Sequence, residues 1–109
     1  MRSDGLRVTG IATAQEFDAL SDIRLKENIS PIDNALNKLV GITGVSYTWK
    51  DSGEATMGVV AQDVHAVFPE LVQEAEYLSV NYNGLIGVLI ESIKELKDRV
   101  EELEAKLDS

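Results

Sequence analysis

The chain has no cysteine, one histidine and two prolines among its 109 residues. Without cysteine it has neither a disulfide framework nor a thiolate metal site, and one histidine leaves little with which to build a metal centre. No apolar run approaches the about 20 residues that span a bilayer, and no signal peptide opens the sequence. We therefore expect no metal, no cofactor and no membrane partner, in a protein compatible with folding in a reducing cytoplasm.

Basic residues are also scarce, since 10 lysines and arginines stand against 19 aspartates and glutamates, for a formal net charge of -9. Such a surface repels nucleic acid phosphates and anionic membranes, so nucleic-acid binding is not expected. A chain this short forms one small domain whose core buries only a modest fraction of its surface. Help from partner chains is expected.

Local signals predict a helix over residues 30–40. Ser30 is placed as the N-cap, Pro31 as the first helical residue and Asp33 as an acid in the first turn. Gly41 can end the helix because glycine tolerates positive φ. One apolar face is expected to be buried, and it comprises Ile32, Ala35, Leu36, Leu39 and Val40.

A β-hairpin is predicted next. Val45, Tyr47 and Trp49 alternate with polar residues, and residues 57–61 form a second β-branched run beyond the turn at 51–53. We expect Tyr47 and Trp49 to be core residues. The first twenty residues, including the mixed run at 8–14, are predicted to form an extended or weakly stranded lead-in.

Shorter elements follow the hairpin. A helix is predicted over residues 63–67, broken near Phe68 because Pro69 disfavours helical backbone in the residue before it. His65 in this helix is expected to be a partly exposed structural histidine. Residues 78–81 can add a third strand, and residues 81–84 turn the chain into a long final helix.

Residues 84–108 are predicted to form a coiled coil. Apolar residues recur at alternating spacings of three and four, and this stripe is too narrow for packing only on the chain's own domain. β-branched residues at a with leucine at d favour two strands, although short coils discriminate weakly between oligomers. The a positions are Ile86, Ile93, Val100 and Leu107, and the d positions are Leu89, Leu96 and Leu103.

Ser21 and Lys26 place a hydroxyl and an amine five residues apart. A lysine with a lowered pKa can activate a serine nucleophile in place of histidine, although spacing alone is a weak signal. In a helix five residues rotate the side chain by about 140°, and in a strand they point to opposite faces. Either the chain loops between them, or the lysine of one chain serves the serine of another, and both routes make the pair conditional on folding.

Charged and polar neighbours surround this pair. Asp22 and Glu27 can bind Arg24 or position Lys26, and at least one of them is expected to be a solvated charge. Asn28 or a backbone N–H near Asp22 is a candidate oxyanion donor.

The run SDIRLKENI at residues 21–29 has companions later in the chain. They are GVVAQDV at 58–64, VFPELV at 67–72, VNYNGLI at 80–86 and IKEL at 93–96. Together these blocks resemble the intramolecular chaperone domain at the C-terminus of phage tailspikes, tail fibres and endosialidases, the S74 peptidase family. The resemblance covers roughly residues 20–105.

The resemblance implies a homotrimer of a small α+β domain, with a short antiparallel hairpin or sheet and helices, that ends in the coiled coil. Residues 1–20 would be the end of a preceding fibre or spike, or an appended lead-in, and residues 21–109 the chaperone. It also implies self-cleavage beside Ser21, with Ser21 as nucleophile and Lys26 as general base. Ser21 Oγ reaches the Leu20 carbonyl through a five-membered ring, which favours the Leu20–Ser21 bond over the Ser21–Asp22 bond.

The expected function is thus that of a trimerising folding aid for an N-terminally attached fibre, which cuts itself off after assembly in the bacterial cytoplasm and is absent from the mature tail fibre. One alternative is a structural trimerisation tip that is never cut. A second is the equivalent self-cleaving domain of a membrane-anchored transcription factor.

Overall fold

The computed structural model describes residues 18–108, so residues 1–17 of the predicted lead-in lie outside the described residues. Two two-stranded antiparallel sheets and a long C-terminal helix confirm the predicted α+β class. The elements in chain order are α1 (Ala35–Leu39), β1 (Val45–Thr48), β2 (Ala55–Gly58), α2 (Ala61–Val67), β3 (Val72–Gln73), β4 (Ser79–Val80) and α3 (Tyr82–Leu107), with 3₁₀ turns at Ile23–Leu25 and Pro69–Leu71.

The predicted hairpin is present, although its second strand begins two residues earlier than expected. β1 and β2 pair with Val45 opposite Gly58 and Thr48 opposite Ala55. Gly53, with a φ of 76°, closes the turn by donating its N–H to the carbonyl of Trp49 at 2.8 Å. Only glycine adopts this conformation without steric cost, which is why the turn falls here.

The aromatic residues Tyr47, in β1, and Trp49, directly after it, lie nearer the surface than predicted. Tyr47 and Trp49 are half-buried and contact each other edge to face, with ring centroids 5.2 Å apart. They lie outside the cluster of fully buried residues, which the three helices form. Within residues 18–108 the hydrophobic members of that cluster are Ala35, Val64, Phe68, Leu85 and Val88.

The first helix differs from its prediction at both ends. It begins at Ala35 rather than at Pro31, because Asn34 adopts left-handed backbone with a φ of 55° and interrupts the helical conformation. Ser30 is therefore not its N-cap. At the other end the helix stops at Leu39, and Gly41 does not have the positive φ expected of it.

The N-terminus of α1 is capped by a side chain from α3. The Glu95 carboxylate accepts the backbone N–H of Ala35 at 2.9 Å and that of Leu36 at 3.2 Å. The first N–H groups of a helix have no partners within the helix, and a carboxylate also complements the positive end of the helix dipole. Glu95 thus does what Ser30 was predicted to do, from 60 residues away.

The middle of the chain follows the prediction closely. Helix α2 ends at Val67, and Phe68 leaves helical geometry immediately before Pro69. The third predicted strand is Ser79–Val80, which pairs antiparallel with Val72–Gln73. The three helices and the β3–β4 sheet therefore share one small core, to which β1 and β2 contribute no residue.

Helix α3 begins where the sequence indicates. Asn81 caps it by accepting the N–H of Gly84 at 3.1 Å, and Tyr82 is its first residue. Gly84 is required by space, since a Cβ there would collide with the side chain of Leu71. This close approach holds the first turn of α3 against the Pro69–Leu71 turn.

Two faces of α3 have different environments. The inner face carries Leu85, Val88 and Ser92, all buried, and the half-buried Glu95. At 100° per residue this inner face lies about 100° around the helix from the predicted a and d residues. Those residues are exposed in the single chain, and they are Ile86, Leu89, Ile93, Leu96, Val100, Leu103 and Leu107.

Removing the carboxylate of Glu95 should destabilise the domain. We expect Glu95→Ala to lower the free energy of unfolding by about 1–3 kcal/mol, because two N–H groups of α1 lose a charged acceptor. Glu95→Gln should cost less, since its carbonyl oxygen can still accept one of them. Urea denaturation at a fixed protein concentration measures both changes, because any self-association contributes to stability.

Glu101→Ala provides the matched control on the same helix. Glu101 pairs with Lys97 at 2.6 Å, but 57% of its side chain is exposed. Exposed pairs contribute about 0–1 kcal/mol, so this variant should stay close to the wild type. Equal losses in Glu95→Ala and Glu101→Ala would contradict a specific role for the helix cap.

Candidate active site

The structure brings Ser21 and Lys26 together within one chain. Lys26 Nζ donates a hydrogen bond to Ser21 Oγ at 2.7 Å. A nucleophile and its base must lie within such a distance for direct proton transfer. The sequence left open a loop within one chain or a lysine from another chain, and this geometry corresponds to the loop within one chain.

A 3₁₀ turn produces the approach. The N–H of Leu25 donates to the carbonyl of Asp22 at 3.0 Å, and the N–H of Lys26 donates to the carbonyl of Ile23 at 3.1 Å. Lys26 then leaves the turn in extended backbone, with φ of -118° and ψ of 152°. Five residues of strand would span about 17 Å, so the turn is what makes the contact possible.

Asp22 and Arg24 hold this turn from outside. One Asp22 oxygen caps it by accepting the backbone N–H of Arg24 at 2.8 Å. The Arg24 guanidinium folds back onto the same carboxylate, with Nη2 at 2.8 Å and Nε at 3.1 and 3.2 Å from its two oxygens. We refer to these two residues as the Asp22–Arg24 clamp.

The charges of the clamp reinforce each other. The Arg24 hydrogen bonds hold the pKa of the Asp22 carboxyl below its ordinary value, and the carboxylate in turn raises the pKa of Arg24. Glu27, the other flanking acid, is exposed and makes no hydrogen bond or ion pair within residues 18–108. It matches the solvated charge expected from the sequence.

The surroundings of the pair are open in a single chain. Ser21 and Lys26 are exposed, and Leu20 on the N-terminal side is 89% exposed. Ile23, Leu25 and Ile29 are also exposed, so an apolar fringe accompanies the pair. Only chain segments outside residues 18–108, or other chains, could bury this segment.

Most backbone N–H groups after Asp22 already donate hydrogen bonds within the turn. Those of Arg24, Leu25 and Lys26 all donate within the turn. Asn28, the other predicted oxyanion donor, has left-handed backbone with a φ of 55°. Asn28 and a backbone N–H near Asp22 both stay predictions as oxyanion donors. The backbone candidates are the N–H groups of Asp22 and Ile23.

Other predicted features lie away from the pair. His65 is partly exposed, as predicted, and its Nε2 lies 3.1 Å from a carboxylate oxygen of Glu74. No group of three metal-ligating side chains occurs among residues 18–108. In the same range no helix has both the length and the apolar character needed to cross a membrane.

These features define a small α+β domain with a serine–lysine pair at one end of its described chain and a long helix with an uncovered apolar stripe at the other. Residues 21–73 match the model of the Peptidase_S74 family, described as the chaperone of endosialidase. Through these residues the chain belongs to the chaperone-of-endosialidase family.

Curated relatives are tail fibre proteins. The chain is 44% identical over 98 residues to the long tail fiber protein Gp37 of Enterobacteria phage K3, covering 80% of this chain and 8% of that protein. It is equally similar to Gp37 of Enterobacteria phage T2, and 30% identical over 114 residues to Gp37 of Salmonella phage S16. The chain spans between 7% and 15% of the length of these relatives.

The clamp predicts an acid-sensitive turn. The pKa of Asp22 lies below its ordinary value of 3.8, so the bound carboxylate stabilises the turn above that pH. This contribution is lost as the pH falls through the lowered pKa, when the carboxyl binds a proton and releases Arg24. Carbon-13 NMR titration of the Asp22 carboxyl should therefore give a midpoint below 3.8.

Arg24→Ala tests the cause of this shift. With the guanidinium removed, the midpoint of Asp22 should rise toward its ordinary value. An unchanged midpoint in the variant would show that Arg24 is not what lowers the pKa.

Proposed function

We propose that this chain is an intramolecular chaperone that trimerises, aids the folding of an attached phage tail fibre or tailspike, and then releases itself by autoproteolysis beside Ser21. The observation that carries the self-cleavage is the 2.7 Å contact between Lys26 Nζ and Ser21 Oγ. The family match and the tail fibre relatives support the chaperone role and the phage assembly context. The client is the fibre region attached on the N-terminal side.

The proposed reaction is acyl transfer followed by hydrolysis. Ser21 Oγ adds to the carbonyl carbon of Leu20 while Lys26 Nζ takes the hydroxyl proton. The C–N bond between Leu20 and Ser21 breaks, and the leaving amine of Ser21 takes the proton from Lys26. Water then hydrolyses the ester, which leaves a carboxylate on Leu20 and a free amine on Ser21.

Trimerisation is proposed for the exposed stripe of α3. Apolar residues at a and d stay uncovered while the inner face of the same helix already packs on α1. Such a patch is costly in a monomer and fits a seam between parallel helices. Three chains in register would lower the entropic cost of nucleating an intertwined fibre.

Burial in the assembly would connect the two activities. An amine accepts a proton only in its neutral form, and excluding water favours that form. Because Ser21 and Lys26 are exposed in one chain, we infer that neighbouring chains supply the burial. Cleavage would then follow folding, which takes place in the host cytoplasm, and the released chaperone would be absent from the mature fibre.

Substitution of either member of the pair should abolish self-cleavage. We expect the wild-type chain to be cut during expression or incubation, whereas Ser21→Ala and Lys26→Ala keep their full mass of 11.9 kDa. Denaturing gels and intact mass spectrometry measure this, with a new N-terminus at Ser21.

The same measurement separates the alternatives. A new N-terminus at Asp22 would contradict the proposed bond. Full-length chain in the wild type and in both variants would overturn the protease function and favour the structural trimerisation tip.

The seam gives a separate prediction. Leu96→Asp places a charge at a d position, so it should convert the trimer to smaller species and slow self-cleavage. Light scattering coupled to size-exclusion chromatography measures the mass. Asp98→Lys is the matched control, because position 98 is at f, on the far side of the helix from the seam, and it should leave mass and cleavage unchanged. A monomeric wild type would contradict trimerisation.

A further inference from the structure

The Asp22–Arg24 clamp lies between the two members of the candidate dyad and touches neither of them. The hydrogen bonds of its side chains all run between Asp22 and Arg24, whereas the side chains of Ser21 and Lys26 bind each other. The Arg24 side chain is 86% exposed, so its contact with Asp22, and not burial, holds it in place. An exposed ion pair adds little to stability, which leaves the geometry it imposes as its main effect.

We propose that Asp22 and Arg24 are positioning residues for self-cleavage, which hold the turn that places Lys26 on Ser21 and keep the Asp22 carboxylate from binding the Lys26 amine. This inference rests on the proposed function. It assigns the clamp no contact with the reacting atoms.

The first effect is geometric. The carboxylate binds the backbone N–H of Arg24 and its guanidinium at the same time, which fixes both the start and the middle of the Ile23–Leu25 turn. A bidentate guanidinium–carboxylate pair has a planar geometry that a lysine cannot reproduce. Opening the turn would carry Lys26 away, and the clamp reinforces the two backbone hydrogen bonds that close it, from Leu25 to Asp22 and from Lys26 to Ile23.

The second effect is electrostatic. Asp22 is adjacent to Ser21, so its carboxylate is a competing partner for any amine brought to that serine. A free carboxylate beside an amine favours the protonated amine, which cannot act as a base. Arg24 occupies both carboxylate oxygens and leaves the amine to the hydroxyl.

The charged groups of this segment are few. They are Asp22, Arg24, Lys26 and Glu27, and the hydrogen bonds and ion pairs described for residues 21–27 all lie within that segment. The pH response of the pair therefore depends first on whether Asp22 is bound to Arg24.

Two variants of the full chain, one single and one double, test both effects. Arg24→Ala should slow self-cleavage by about 10- to 100-fold, as expected when a catalytic group is misplaced by about 1 Å. Its pH profile should also move to higher pH, because the carboxylate is now free. Asp22→Asn added to Arg24→Ala should return the profile toward that of the wild type while cleavage stays slow.

Conservative and matched variants complete the set. Arg24→Lys keeps the positive charge but not the planar fork, so it should keep the wild-type pH profile and recover only part of the rate. Glu27→Gln removes the other flanking carboxylate, which is outside the clamp, and should leave rate and profile unchanged. Thermal melting verifies that each variant is folded.

An NMR measurement tests the positioning without relying on cleavage. In a Ser21→Ala chain, the methyl group at position 21 should show a nuclear Overhauser effect to the Lys26 side chain. Adding Arg24→Ala should remove it. A retained contact, or wild-type rate and pH profile in Arg24→Ala, would overturn the inference.

The two proposals fail in different ways. A wild-type chain that is never cut overturns the proposed self-cleavage, and the NMR contact alone then decides whether the clamp positions Lys26. A wild-type chain that is cut, with Arg24→Ala equally active at every pH, overturns the clamp and leaves the self-cleavage standing.

Discussion

The contact between the Glu95 carboxylate and the start of α1 connects the long helix to the rest of the domain. It joins groups 60 residues apart, and it satisfies N–H groups that no local side chain caps. The segment that leads back to Lys26 enters the domain at this helix. One charged hydrogen-bonding group therefore helps to set the long helix against α1, the helix that follows the segment with the candidate site.

This arrangement divides the work of α3 between two surfaces. Its inner face packs in the core, and its a and d stripe is exposed in the single chain. The candidate site also combines a contact formed within the chain with an exposed surface. Residues 21–26 form the Ser21–Lys26 pair by local contacts, and both side chains are exposed to solvent in the single chain.

Local patterns predicted the hairpin, the break at Pro69 and the long helix, because alternation, proline and heptads act within a few residues. They failed at α1, where Ser30 and Pro31 are good capping residues but Glu95, far along the chain, provides the cap. Chemistry and the family resemblance selected Ser21 and Lys26. A loop between them and a pairing of Asp22 with Arg24 were among the alternatives that the sequence left open, because spacing does not encode the 3₁₀ turn or the forked side-chain geometry.

The two faces of α3 lie about 100° apart, which is also the rotation contributed by one helical residue. Loss of a single residue from the first turn of α3 would therefore bring the a and d stripe onto α1 and expose the inner face. The molecule would then bury the first half of its own a and d stripe and expose Leu85 and Val88 in its place. Glu95 opposes this rotation, since only one angular setting of the helix directs its carboxylate at Ala35 and Leu36.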